Sequence, residues 1–351
     1  MSAKRNQVRS TTLHDVATDA GVAPMTVSRA LNRNGYVSAD VRDRVLASAS
    51  RLNYRPNVLA RSLRQQSTKA VGVLLPDIAN PFSSELVQGI ESVLLDNGYD
   101  CFLTASLRNV EREKSALTAF LDHRVDGILV ATRETRAGNE ALVEAVNRGT
   151  QVVTIGRLLN HDRVDHVTAD HWRGAFDAVA HLIALGHKKI GFLGASIVNG
   201  SSLRRFAGYI DAMHEHGLEP KPAWIVGPKG ESPKYSTQED GHEGMVRLLT
   251  PRSRPTAVLC RNDFTAIGAI CAASDMGRSV PGDIAIAGFD NIPISAYMQP
   301  PLTTVEQPTA EQGRIAGQML VERLTHQYEG SRRDQVLPCK LIVRKSCGAN
   351  S

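Results

Sequence analysis

Residues 22–32 read VAPMTVSRALN, a spacing that makes a short helix with Val27, Ala30 and Leu31 turned inward and Pro24, Met25, Thr26, Ser28 and Arg29 turned out. A solvated helix usually carries Glu, Lys or Gln on that outer face, whereas this one is small-residued with a single long cation. Small side chains admit close approach to the floor of a DNA major groove. There Arg29 can reach guanine O6 and N7, and Pro24 and Met25 can meet thymine methyls. A three-helix domain that binds protein is the other use of such a face.

A second set of polar side chains follows short apolar runs: Asn80 and Phe82 in PDIANPF, then Arg133, Arg157, Arg205, Asn262 with Asp263, and Asp290. Ligands of open α/β sheets sit beyond the carboxyl ends of the strands, so these positions are candidate ligand contacts. Taken singly, each also fits a capping or surface role. His161, His166 and His171 recur every five residues, which no helix or strand period brings to one face; they read as loop residues, and neither a metal nor a cofactor is expected.

Reading base edges requires a scaffold for the VAPMTVSRALN helix. Thr12-Leu13-His14-Asp15 fits a helix start, with Leu13, Val16, Ala17 and Ala20 on one face. Gly21 can stop that helix at positive φ, and Pro24 suits the first turn of the next. A third segment, SADVRDRVLASASRLNY, repeats the helical spacing at Val41, Val45, Leu46, Ala49 and Leu52. The result is a helix-turn-helix with a small closing core. Residues 53–69, NYRPNVLARSLRQQSTK, have no core of their own; Asn57–Leu63 can make one short helix that needs a partner, so a linker that folds on binding is expected.

From Ala70 the pattern alternates. AVGVLLP, YDCFLTA, VDGILVA, QVVTIG, KIGFLGA, AVLCRND and DIAIAGFD are strand-like apolar runs, separated by helical stretches such as SSELVQGIESVLLDNG and DFTAIGAICAASDMG. Such alternation predicts parallel sheets with helices on both faces, in two halves near 70–168 and 169–300.

Charge divides the same way. Residues 1–69 hold 12 Lys and Arg against four Asp, a net +8, which leaves −3 on the remainder of a chain whose total is +5. A basic head before a slightly acidic body points to a polyanion at the front, although a solvated basic surface gives the same asymmetry. No apolar run approaches the roughly 20 residues of a membrane span, and the basic N-terminus has no apolar signal core, so a cytoplasmic protein is expected. Five scattered cysteines without a C-x-x-C pair suggest neither disulfides nor zinc.

With these residues in view, LHDVATDAGVAPMTVSRALN and VSADVRDRVLASASRLNYRPNVLARSLR resemble the LacI/GalR family of bacterial transcriptional repressors. The resemblance implies an all-α helix-turn-helix head (1–56) and a hinge helix with linker (57–69). It also implies an α/β body of two doubly wound parallel-sheet subdomains, like the periplasmic binding proteins. Three crossings between subdomains would pair 70–168 with 308–335 and 169–307 with 336–351. It further implies that Leu63 wedges into the minor groove with Ala60 and Arg61 beside it, as apolar side chains do when they kink DNA. Thr12, Asn32, Tyr54 and Asn57 complete the candidate DNA contacts. In the body, Arg205, Asn262 and Asp290 match positions that hydrogen-bond an effector in relatives, Phe82 can cover a ring face, and Gln307 sits at the last crossover near the same cleft.

Arg157 departs from relatives that place an acid nearby. Convergence of Arg157, Arg205 and Arg133 would make a cationic cleft suited to a sugar acid or sugar phosphate. Pairing of Arg157 with Asp165 or Asp170 would leave a neutral sugar open, and stacking by Phe82 or Trp172 would suit a purine. Asp170 is itself a candidate contact. The chain has no G-x-S-x-G, P-loop or G-x-G-x-x-G motif, so an enzyme is not expected, and an exported solute receptor has no use for the basic head. The expected protein is a homodimeric regulator, a repressor of carbohydrate metabolism or of purine response, that binds pseudo-palindromic double-stranded operator DNA under control of a small effector and does not involve a membrane.

Overall fold

The computed structural model describes residues 11–32, 35–55, 67–107, 109–132, 136–194, 200–227 and 237–349. The chain divides into two compact units between Thr68 and Lys69.

In the first unit, α1 (Leu13–Ala20), α2 (Pro24–Asn32) and α3 (Ala39–Arg51) close on Val16, Ala17, Val27, Ala30, Val45 and Ala49. Thr12 caps α1 reciprocally with Asp15: the Asp15 N–H donates to the Thr12 hydroxyl at 3.3 Å, and the Thr12 N–H donates to the Asp15 carboxylate at 2.8 Å. Gly21 stops the helix at φ 65°, donating its N–H back to Ala17 and Thr18. Asp19 ties α1 to α3, accepting from the Ser48 hydroxyl at 2.5 Å and pairing with Arg51. Those two partners hold its carboxyl below the usual range.

The second unit has two six-stranded sheets. The first runs β11-β5-β4-β3-β1-β2, with β1 (Ala70–Leu75), β2 (Asp100–Ala105), β3 (Gly127–Val130), β4 (Gln151–Ile155), β5 (Asp165–Ala169) and β11 (Asp334–Leu337). The second runs β12-β10-β9-β8-β6-β7, with β6 (Ile190–Leu193), β7 (Ile225–Val226), β8 (Ala257–Cys260), β9 (Ala285–Asp290), β10 (Thr303–Glu306) and β12 (Lys340–Ile342). Among the described residues every pairing is parallel except β10 with β12. Interior strand β1 is buried at all six positions, as a strand covered on both faces must be. Edge strand β2 leaves Phe102 and Leu103 about half exposed.

Helix α4 (Pro81–Asp96), which follows β1, packs against α11 (Thr309–Leu324) through glycine. A Cβ on Gly89 would lie 2.0 Å from the Ala310 carbonyl oxygen, and one on Gly313 would lie 2.2 Å from that of Leu86, so only glycine permits the approach.

Three features differ from the sequence-based expectation. Residues 336 and 337, expected in the second half, extend β11 in the first sheet. The cause is Asp165 at the start of β5, which is fully buried and grips Arg323 of α11 (2.6 and 2.8 Å) and Arg333 before β11 (2.7 Å). Burial pushes this carboxyl up, but hydrogen bonds from the two arginines outweigh it and hold the pKa below its ordinary value. The late segment is thereby fastened to the first sheet through Leu337. Strand β5, DHVTA, is absent from the apolar runs because its polar residues are buried and paired rather than solvated. Finally, His166 lies on β5 and His171 opens the helix Asp170 caps, so neither is a loop residue; among the described residues no His, Cys or acidic cluster could hold a metal.

Candidate functional site

In the head, the outer face of α2 is exposed at three of the five expected positions. Pro24, Met25 and Arg29 are exposed, Met25 at 61%, while Thr26 and Ser28 are half-buried. Other candidates have local duties. Thr12 is the α1 cap; Asn32 turns its amide back to the Ser28 carbonyl at 2.9 Å; Tyr54 lays its ring against the head core. Asn57, Ala60, Arg61 and Leu63 lie outside the described residues, as does Arg133.

In the body, several candidates also cap helices. Asn80 caps α4, accepting from the Phe82 N–H at 3.1 Å, and Phe82 rests half-buried on the core of the first sheet. Asp170 caps α7 (His171–Ala184), accepting from the Arg173 N–H at 3.0 Å. Asn262 caps α10 (Asp263–Asp275), its Oδ1 accepting from the Thr265 N–H at 3.0 Å and hydroxyl at 2.7 Å. Each follows a strand end or a crossover, where the chain turns from sheet to helix and the first N–H groups need acceptors.

Arg205, Asp290 and Gln307 do converge. Arg205 stands on α8 (Gly200–Glu215), Asp290 ends β9 and Gln307 follows β10. Asp290 Oδ1 accepts from Gln307 Nε2 at 2.6 Å and from an Arg205 terminal nitrogen at 3.2 Å. The other terminal nitrogen of Arg205 donates to the Arg261 carbonyl at 2.5 Å, its Nε donates to His171 Nδ1 at 3.4 Å, and its plane lies 3.7 Å over the Phe289 ring. Burial pushes the Asp290 carboxyl up, with Arg205 opposing. Burial, with Arg205 beside it, pushes His171 well below its ordinary value, so the imidazole is neutral and accepts at Nδ1. The two sheets meet here: Glu85 in the first turns of α4 has its carboxyl raised by partial burial and by the charges of Glu306 and Asp290 from the second sheet.

Arg157 does not join them. It is 1% exposed and spends its guanidinium on Glu113 (2.7 Å), Thr132 (2.7 Å) and Asn139 (2.8 and 3.2 Å). Its partner is neither Asp165 nor Asp170. Glu113, in the polar run EREK of α5 (Val110–Asp122), reads as a solvated helix face, so nothing in the sequence marks this pair. Also missed were His171 and Phe289, which frame Arg205.

A helix-turn-helix head joined to a two-sheet body of this topology defines the class of DNA-binding regulators with a periplasmic-binding-protein-like core. Residues 12–57 match the family described as bacterial regulatory proteins, lacI family, and residues 179–347 match the periplasmic binding protein-like domain. The chain is 36% identical over 339 residues to the HTH-type transcriptional repressor PurR of Haemophilus influenzae strain PittEE, covering 95% of this chain and 98% of that one. It is 34% identical over 335 residues to PurR of Proteus mirabilis strain HI4320, covering 95% and 96%. Among solved structures, the lac repressor dimer bound to operator and the anti-inducer ONPF superposes with a TM-score of 0.85 at 28% identity, covering 97% of this chain and 100% of that one. The CelR–cellobiose complex superposes with a TM-score of 0.72 at 28% identity, covering 96% and 99%. The chain belongs to the LacI family of bacterial transcriptional regulators, a DNA-binding protein and not an enzyme. No described helix is long and apolar enough to cross a membrane.

Proposed function

We propose that the protein is a homodimeric repressor that reads a pseudo-palindromic operator with the outer face of α2, its affinity set by an uncharged ring ligand held at Arg205, Asp290, Gln307 and Asn262. The observation that carries the ligand class is charge balance: the one candidate arginine that reaches Asp290 is already neutralised by it, and Arg157 is neutralised by Glu113. Neither Arg205 nor Arg157 is left over as a cation for a carboxylate or phosphate, so the sugar-acid reading loses the convergence of these two arginines on which it rested. In this reading Asp290 Oδ2 and the Asn262 amide meet ring hydroxyls or N–H groups, and Phe82 covers a ring face. A neutral sugar and a nucleobase share that chemistry. Relatives named for purine repression and a structural neighbour holding cellobiose support both. The exposed apolar residues Phe102 and Leu103 on edge strand β2 support pairing with a second copy.

Thermal unfolding of the full chain against neutral sugars, purine bases, sugar acids and sugar phosphates tests the reading. A ligand at about one hundred times its Kd stabilises by about 2.7 kcal/mol. Only uncharged rings should raise the midpoint, and Asp290→Asn should remove the rise. A rise with acids or phosphates alone would overturn the charge-balance argument.

A further inference from the structure

We propose that Asp263 is a positioning residue of the ligand site, a latch that locks the turn carrying Asp290 to the strand that leads into Gln307. The inference rests on the reading of Asp290 and Gln307 as ligand contacts. Asp263 opens α10 with no exposed surface and points away from the helix it starts. Its Oδ1 accepts from the Thr304 hydroxyl of β10 at 2.5 Å, and its Oδ2 accepts from the backbone N–H of Ile292 at 2.9 Å. The Thr304 hydroxyl also accepts from the Asn291 N–H at 3.3 Å. One carboxylate therefore joins three segments: the helix start, the turn after β9 and strand β10.

The turn needs such fastening. Asp290 has φ 111° and Asn291 has φ 52°, two consecutive non-glycine residues in a region that L side chains rarely adopt. Such conformations persist only where the surroundings over-determine them, and they gather at ligand clamps. Further ties hold Asn291: its amide donates to Glu306 at 2.9 Å, and its Oδ1 accepts from Arg344 at 2.8 Å and from the Ser295 hydroxyl at 3.3 Å. Gly288 completes the fit, because a Cβ there would lie 2.2 Å from Asp263 Oδ1. The latch touches no ligand itself. It fixes the backbone from which Asp290 projects toward Arg205 and Gln307.

Burial raises the Asp263 pKa to about 8, with the charge of Asp290 adding to the rise and Thr304, Ile292 and Arg344 opposing it. The titratable and charged groups facing it are Asp290 at the end of β9, Cys260 at the end of β8 and Arg344 after β12. Both protonation states keep both contacts, since the Thr304 hydroxyl can donate or accept. An asparagine should therefore preserve the latch and an alanine should not.

The test uses full-length wild type, Asp263→Ala, Asp263→Asn and Thr304→Val, with calorimetric titration of hypoxanthine and of cellobiose and crystal structures without ligand. Asp263→Ala should weaken whichever probe the wild type binds by about tenfold or more, and Asp263→Asn should stay within about threefold. In the Asp263→Ala crystal, residues 290 and 291 should leave the positive-φ region. Retained dihedrals with unchanged affinity would overturn the latch. If Asp263→Ala fails to fold, Thr304→Val decides: it should weaken the same probe and shift the same turn, and a wild-type turn there overturns the proposal. If the wild type binds neither probe, the proposed ligand class fails while the crystal comparison still decides the latch. A pH series adds a separate readout. A raised folded pKa gives stability that is full below about 4 and is lost as pH rises through about 8, so the wild-type midpoint should fall across that range relative to Asp263→Asn.

Discussion

Arg157→Ala separates a structural arginine from a ligand arginine. In the native fold the side chains of Arg157 and Glu113 are 0% and 5% exposed, and the guanidinium also donates to Thr132 and Asn139. Removing it leaves a buried carboxylate without its cation, a change that costs about 3–5 kcal/mol. For a unit the size of this body, each kcal/mol moves the midpoint by about 2 °C, so the expected fall is about 6–10 °C. Replacing both partners, Glu113→Leu with Arg157→Met, removes the unpaired charge and should recover most of the loss, because buried pairs exchange for apolar residues at little net cost. The assay is thermal and urea unfolding of wild type, both single variants and the double variant, each with and without the ligand that stabilises the wild type. The ligand-induced increment should survive in the double variant. An Arg157→Ala protein as stable as wild type but deaf to ligand would refute the argument and return Arg157 to the binding site.

Three further outcomes follow from the same reasoning. Asp165 has its folded pKa held down, so its contribution is present above the unfolded value near 4 and is lost as pH falls through the lower folded value; acid unfolding of Asp165→Asn should lack that steep limb, and parallel acid curves would contradict the assignment. Thr12→Ala removes the α1 cap and should destabilise the head by about 1 kcal/mol, read as faster amide exchange in α1 with the body unchanged. Arg29→Ala should cost about 1–3 kcal/mol at one operator position and relax base preference there, whereas equal loss on specific and random DNA would remove Arg29 from base readout.

The head was the most legible part of the chain because its signals are local. Thr12 with Asp15, Gly21, Pro24 and the spacing of Val16, Val27 and Val45 each act within one or two helical turns, and the three helices lie where those signals put them. The alternation of apolar runs and amphipathic helices likewise specified parallel sheets before any contact was known. The charge asymmetry between head and body also needed no structure.

Which carboxylate each buried arginine meets was decided only in three dimensions. Arg157 and Arg205 look alike in sequence, each following an apolar run. One meets Glu113, 44 residues away; the other meets Asp290, 85 residues away. The same holds for Asp165, whose grip on Arg323 and Arg333 brings residues 336 and 337 into the first sheet, and for Asp263, whose partners come from β10 and the turn after β9. Periodicity reports which face of an element is apolar, because that depends on neighbours along the chain. The fate of a buried charge depends on which distant group supplies its counter-charge, and that is fixed only when the sheets close.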